Sequence, residues 1–272
     1  MEHHHQAALI SSWEQEQHYH FTRALDGLLP GTITPRKLKH VLDVNCTNGK
    51  WAIDLALAYP GIHVTGLGPI IEQARLSAKA ARLDRVQFYQ TDLRKPFPLA
   101  NQGVDLVHLL FYKPLLRASE WPAVLQECKR VLVPGGTINL VAFTFGPGSS
   151  KAYQQLRAAE QRLLITLGFT FSDKPGAASP GVHLCDLLRQ ADFGTITYHL
   201  YSVNLGGLNN PSGRSCYQLF LSDLSKQKHL FIEQEVLKSK AFDALIEQGQ
   251  QDALAMDFCA TGVLTSALAI KR

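Results

Sequence analysis

From His40 onward, short runs rich in Val, Ile and Leu alternate with longer stretches whose apolar positions recur at helical spacing. Strands separated by helices pair in parallel, because the helical crossover carries the chain back to the same end of the sheet. The alternation therefore predicts an α/β chain with a mostly parallel sheet. "HVLDVN" (His40 to Asn45), "HVTGLG" (His63 to Gly68), "VQFYQTDL" (Val86 to Leu93), "VDLVHLLF" (Val104 to Phe111) and "TINLVAF" (Thr137 to Phe143) read as the first five strands. Helices are expected at Trp51 to Tyr59, Ile70 to Leu83 and Trp121 to Leu132, the last with Pro122 in its first turn, where a missing N–H costs nothing. "PGG" (Pro134 to Gly136) reads as the turn before the fifth strand.

Beyond Phe143 the alternation is interrupted. A helix from Lys151 to Gly168 leads into a Gly-, Pro- and Ser-rich loop, Phe169 to Gly181. A helix (Leu184 to Gly194) and a strand (Thr195 to Val203) follow, then a second loop-like stretch, Asn204 to Gln218. Two helices are expected within Cys216 to Ala253, and "ATGVLTSALAI" (Ala260 to Ile270) closes the pattern as a seventh strand. An N-terminal helix is expected over Trp13 to Leu29.

Composition narrows the function classes. Five cysteines, Cys46, Cys128, Cys185, Cys216 and Cys259, stand far apart without a C-x-x-C pair. That pattern argues against a disulfide framework and a metal site, and fits a reducing cytoplasm. The formal net charge of +4 comes from scattered basic residues and not from a basic face interleaved with aromatics, which argues against nucleic acid as a partner. No apolar run reaches the ~20 residues of a membrane span, and the start lacks the pattern of an export signal.

The order of motifs from Val41 to Val141 resembles the class I S-adenosylmethionine-dependent methyltransferases. The residues that carry the likeness are "VLDV" running into a helix at Gly49, "TDL" after the third strand, and "VDLVHLLF" followed by "WPAVLQECKRVLVPGGTINLV". The D-L-V-H strand, W-P helix and P-G-G turn are also similar to methyltransferase-like proteins of secondary metabolism. The resemblance implies a Rossmann-like three-layer sandwich whose seven-stranded, mostly parallel sheet has its last strand antiparallel. It further implies a methyltransferase-like core over 37–204, an N-terminal helical segment (1–36) able to act as a lid, inserted helices (205–257) forming a cap or an interface, and a final core strand (258–272).

S-adenosylmethionine is the implied cofactor, S-adenosylhomocysteine the product, and a small apolar or aromatic metabolite the substrate. In sheets of this kind the ligand lies at the carboxyl ends of the strands, where glycines let the backbone approach it. The family pattern D-x-G-x-G-x-G falls on Asp43, Asn45, Cys46, Thr47 and Gly49, with only the last glycine retained. At the end of the second strand, Gly68 stands where the family carries an acid for the ribose hydroxyls, with Glu72 nearby as a substitute acceptor. Asp92 matches the acid that accepts from the adenine amino group, and Leu93 offers a backbone donor beside it.

His108 matches a position facing cofactor and substrate, where imidazole could act as a general base or simply pack as a satisfied histidine. Trp51 and Cys46 read as core. Tyr19, Tyr112 and Tyr153 lie in segments that could shape an aromatic substrate pocket. Two functions stay open: methyl transfer, with Asn45 and Thr47 holding the cofactor by their side chains, or a scaffold repurposed as a non-methylating enzyme, small-molecule binder or partner subunit. A homodimer is a further open expectation.

Overall fold

The computed structural model describes residues 2–111, 116–174, 179–207 and 210–272. The chain divides into two compact units. One comprises residues 1–24, 144–179 and 201–264, and the other residues 25–143, 180–200 and 265–272.

The strands are β1 (His40–Val44), β2 (His63–Gly68), β3 (Val86–Gln90), β4 (Val104–Phe111), β5 (Leu132–Gly148), β6 (Phe193–Asn204) and β7 (Ala260–Lys271). They form one seven-stranded sheet in the order β3-β2-β1-β4-β5-β7-β6. β1 is parallel to β2 and β4, β2 to β3, and β4 to β5. β7 runs against β5, since Lys271 bonds Leu132, Ser266 bonds Asn139 and Thr265 bonds Ala142. The expected Rossmann-like architecture with an antiparallel last strand is therefore the fold.

The helices are α1 (Glu2–Ala24), α2 (Lys50–Ala58), α3 (Glu72–Ala80), α4 (Trp121–Val131), α5 (Lys151–Thr166), α6 (Leu184–Gln190), α7 (Pro211–Lys226), α8 (Lys228–Glu233) and α9 (Ser239–Asp252). In the second unit, α2 and α3 bury Ala52, Ile53, Leu55, Ala56, Ala74 and Ala78 with strand residues such as Val41, Val64 and Phe88. None of the helices among the described residues is long and apolar enough to cross a membrane.

Three local expectations are corrected. α1 ends at Ala24 and not at Leu29, because Asp26 (φ 60°) and Gly27 (φ 132°) leave the helical region. Pro134–Gly136 is a bulge inside β5, not a turn before it: Val104 pairs with Leu132 and Leu106 with Thr137, so extra residues of β5 are accommodated between those pairs. The stretch read as loop to Gln218 already turns helical at Pro211, where the Asn210 side chain accepts from the Gly213 N–H at 3.0 Å and proline occupies the first turn. Three helices, not two, thus fill 211–252.

The register aligns one row across the sheet. Phe88 pairs with Gly66, Gly66 with Asp43, Asp43 with His108, and His108 with Asn139. Paired residues share a face, so the Phe88 ring covers Gly66. A Cβ at Gly66 would lie 2.4 Å from Phe88 Cδ1 and 3.0 Å from Cys46 Cβ, whereas one at Gly68 would meet nothing closer than Cys46 Sγ at 3.5 Å. Gly66→Ala is expected to cost about 1–3 kcal/mol through overpacking, and Gly68→Ala under about 0.5 kcal/mol. Denaturant unfolding of the two variants beside the parent checks the difference.

Candidate cofactor site

The turn after β1 keeps the backbone of a glycine-rich loop with fewer glycines. Asn45 (φ 65°), Thr47 (φ 47°) and Gly49 (φ 75°) are all left-handed, at the three positions where the family pattern has glycine. Asparagine tolerates that region, whereas β-branched threonine is strained in it. Two hydrogen bonds hold the path: Cys46 N–H donates to Leu67 O at 2.9 Å and Gly49 N–H to Cys46 O at 2.7 Å. Gly49 has a second reason to stay glycine, since a Cβ there would lie 2.6 Å from Ala74 Cβ and 2.7 Å from the Phe88 ring. The Asn48 side chain accepts from Lys50 N–H at 3.1 Å, at the start of α2. Cys46 is buried, and burial, followed by the nearby Asp43, raises its thiol far above the ordinary value.

Beyond β2 and β3 a cleft of about 450 Å³ is lined by Pro69, Gln90, Thr91, Asp92, Leu93, Arg94 and Leu116. This volume lies within the range typical of small-molecule sites. Thr91 N–H donates to Gly68 O at 2.9 Å, which ties the two strand ends that flank the cleft. The Asp92 carboxylate is gripped by Arg94: Nε donates to Oδ1 at 2.8 Å, a guanidinium NH₂ to Oδ2 at 3.0 Å, and the Arg94 backbone N–H to Oδ1 at 3.1 Å. Those bonds hold the half-buried Asp92 carboxyl below its usual range. With about four lone-pair sites on a carboxylate, Oδ2 keeps room for another donor. Arg94 was not singled out in the sequence, although its place two residues after Asp92 was a usable signal. Glu72, at the start of α3, accepts from Ile71 N–H at 3.2 Å.

Polar groups continue along the transverse row. His108 is 2% exposed and stacks on Trp51 at a centroid distance of 3.9 Å and 15° between planes. Asn139 Nδ2 donates to His108 Nδ1 at 3.2 Å, and Ser266 Oγ donates to Asn139 Oδ1 at 2.9 Å. Trp51 Nε1 donates to Leu28 O at 3.0 Å. Trp51, expected as plain core, is thus the plate against which the histidine lies. The structure encloses the expected general base, and His108 is not among the residues lining the cleft beside Asp92.

Asp43, next in the row, is 4% exposed, and its Oδ2 has no hydrogen-bond partner. Burial alone pushes its carboxyl well up.

Of the expected substrate residues, Tyr112 lies outside the described residues. Tyr19 (51% exposed) and Tyr153 (1% exposed) belong to the first unit. Tyr153 is enclosed by Tyr217, Phe220 and Phe258, with its hydroxyl donating to Gly146 O at 3.0 Å. Its aromatic neighbours come from the inserted α7 and the segment before β7, a long-range packing that sequence spacing does not reveal. Among the described residues no His, Cys, Asp and Glu group could hold a metal ion.

Residues 41–136 match the family model described as "Methyltransferase domain". Over 208 residues the chain is 24% identical to methyltransferase pytC of Aspergillus terreus, covering 74% of this chain and 60% of that protein. A 74-residue stretch, 27% of the chain, is 36% identical to the 23S rRNA (uracil(1939)-C(5))-methyltransferase RlmD of Pseudomonas savastanoi and covers only 16% of it. The chain thus spans less than two thirds of either relative. Among solved structures, a Bacillus halodurans C-125 protein assigned as a methyltransferase shares the fold at a TM-score of 0.51 and 16% identity, with 86% of this chain and 92% of that one covered. YcgJ of Bacillus subtilis does so at 0.50 and 15%, with the same coverage of 86% and 92%.

The orphaned carboxyl gives a test of this site. A carboxyl whose folded pKa is raised stabilises the fold below its unfolded pKa of about 3.9, and that contribution is lost as pH rises through the folded value. The parent is therefore expected to lose stability across that window, while Asp43→Asn, which mimics the protonated shape, lacks this slope. Thermal melting against pH checks it; parallel profiles for the two proteins count against a protonated Asp43.

Proposed function

We propose that this chain transfers a methyl group from S-adenosylmethionine to a small apolar or aromatic metabolite. The observation that carries the reading is the left-handed backbone at Asn45, Thr47 and Gly49, which retains the path of a close-approach loop although two of the glycines are gone. The residues fit the cofactor on three counts. The cleft beside Asp92 has small-molecule dimensions, Asp92 Oδ2 has acceptor capacity left, and Asp43 presents an unsatisfied carboxyl oxygen in the row behind the turn.

When bound, the cofactor supplies an electrophilic methyl group on a sulfonium, so the protein's task is alignment and exclusion of water. Asp92 and the Leu93 backbone would hold the adenine end, with Arg94 fixing the carboxylate plane. Asn45 and Thr47 replace backbone close approach by side-chain hydrogen bonding, Gly49 keeps the helix start near the ligand, and Cys46 ties the turn to β2. Asp43 would stand near the cofactor's amino group. Gly68 leaves the ribose end without a side-chain acceptor. His108 is proposed as a positioning residue that supports Trp51 from beneath, not as a base, because its ring is enclosed. Tyr19 and Tyr112 are carried forward as substrate contacts, while the burial of Tyr153 favours a packing role for that side chain. The likeness to methyltransferase pytC supports the methyl-transfer chemistry.

A second reading rests on Arg94. A carboxylate already forked by a guanidinium, beside a strand end without its acid, is what a scaffold diverted from methyl transfer would also show.

Isothermal titration with S-adenosylhomocysteine separates the two. Micromolar binding is expected, weakened at least tenfold by Asp92→Ala. It is expected to strengthen about tenfold with Gly68→Asp, where one charge-assisted hydrogen bond is regained. A parent protein that gives no heat at millimolar ligand rejects the methyltransferase reading in favour of the diverted scaffold.

A further inference from the structure

The two edges of the sheet are finished differently. At one end β3 has five residues, and Arg75 closes its edge by donating Nε and NH₂ to Phe88 O at 3.1 and 3.0 Å. At the other end β6 runs for twelve residues, and none of the side chains from Thr195 to Ser202 is buried. No Asp, Glu, Lys or Arg occurs from Phe193 to Gly213, so the strand lacks the charges that ordinarily deter edge pairing. Its composition, "TITYHLYSV", is β-branched and aromatic, and it has no proline.

One face of this edge is apolar. Ile196, Tyr198 and Leu200 alternate onto it. Tyr198 (37% exposed) donates its hydroxyl to Gly181 O at 3.1 Å, and Leu200 (64%) is exposed.

We propose that this edge is a dimer interface in which β6 pairs antiparallel with β6 of a second copy about a two-fold axis through Tyr198. Three arguments select a second copy as the occupant. An uncharged strand meets no like charge when it pairs with itself. Outward-facing backbone groups recur on every second residue, so a self-paired antiparallel register must be centred on a residue. Centring it on Tyr198 sets Ile196 against Leu200 twice and Tyr198 against its own mate, all on the apolar face, whereas centring on Thr197 sets Leu200 against Gly194. The contact is isologous and closes, so it ends at a dimer and does not propagate.

Sedimentation velocity over roughly 1 to 100 µM tests the interface, since association is concentration-dependent. The parent is expected to approach twice its 30.1 kDa mass. Leu200→Lys, at an exposed position, is expected to raise the dissociation constant at least tenfold without changing the far-ultraviolet circular-dichroism spectrum. Tyr198→Cys tests the axis: self-opposed residues lie about 4.5 to 5.5 Å apart at Cα, within disulfide reach. Mild oxidation should therefore cross-link it above the parent's background from Cys259, while Leu200→Cys, opposite Ile196, should not. A parent that stays monomeric overturns the proposal, as does a dimer indifferent to Leu200→Lys. A dimer weakened by that change but not cross-linked through Tyr198→Cys overturns the register.

Discussion

The ring of Phe88 fills the space that side chains at Gly49 and Gly66 would need, with ideal Cβ positions only 2.7 and 2.4 Å from it. That approach draws the start of α2 and strand β2 onto β3, and the turn after β1 must then be short. Cys46 N–H reaches Leu67 O and Gly49 N–H reaches Cys46 O. Asn45 and Thr47 adopt left-handed conformations within this closure. Each costs on the order of 1–2 kcal/mol in an L-residue, less for asparagine, and persists because the packing around it over-determines the chain path.

The row that begins at Phe88 and Gly66 becomes polar at Asp43 and stays so through His108, Asn139 and Ser266. A buried polar group is tolerated when bonded and expensive when not. Asn139 satisfies this by donating to His108 and accepting from Ser266, and the His108 ring adds a stack on Trp51. With Nδ1 accepting, the proton of a neutral imidazole resides on Nε2. Asp43 breaks the pattern, because desolvation is not offset at Oδ2. Neutralising the carboxyl by protonation lowers the cost, and in the proposed function a cationic group brought near it would reverse that protonation. The row therefore separates a satisfied half, stacked on Trp51, from an unsatisfied half beside the turn.

Much of this was legible in the sequence, for identifiable reasons. Strand and helix order followed from hydrophobic period, and β2 and β4 fall where the runs predicted. The positions of Asn45, Thr47 and Gly49 in one turn just after Asp43 followed from local spacing. What local spacing could not show was partnership across the sheet. His108 and Asn139 are 31 residues apart, and Ser266 is a further 127 beyond Asn139. The histidine's type suggested a base, while its register made it a buried member of a row. The enclosure of Tyr153 is a parallel case, since the α7 aromatics that surround it lie more than sixty positions along the chain. Asn210 and Pro211 differ from these cases: the cap-and-proline signal was local and was outweighed by the surrounding Gly and Asn content.

The exchange of glycines for Asn45 and Thr47 bears on how the site can work. Gly49 is held by steric need, because Ala74 and Phe88 exclude a Cβ there. Positions 45 and 47 have only the conformational requirement, which asparagine and threonine meet at an energetic cost. A chain relieved of every constraint at this loop would be free to adopt an unstrained path, and this one is not. The path is kept while the surface it presents gains an amide and a hydroxyl. Glycine loops hold ligands through backbone N–H groups alone, so side-chain donors and acceptors on an unchanged backbone alter the contacts without moving the helix start. In the proposed function, selectivity at the turn would therefore come from hydrogen bonds with direction, and an analogue that cannot answer the Asn45 amide or the Thr47 hydroxyl would leave a polar group unpaired on binding.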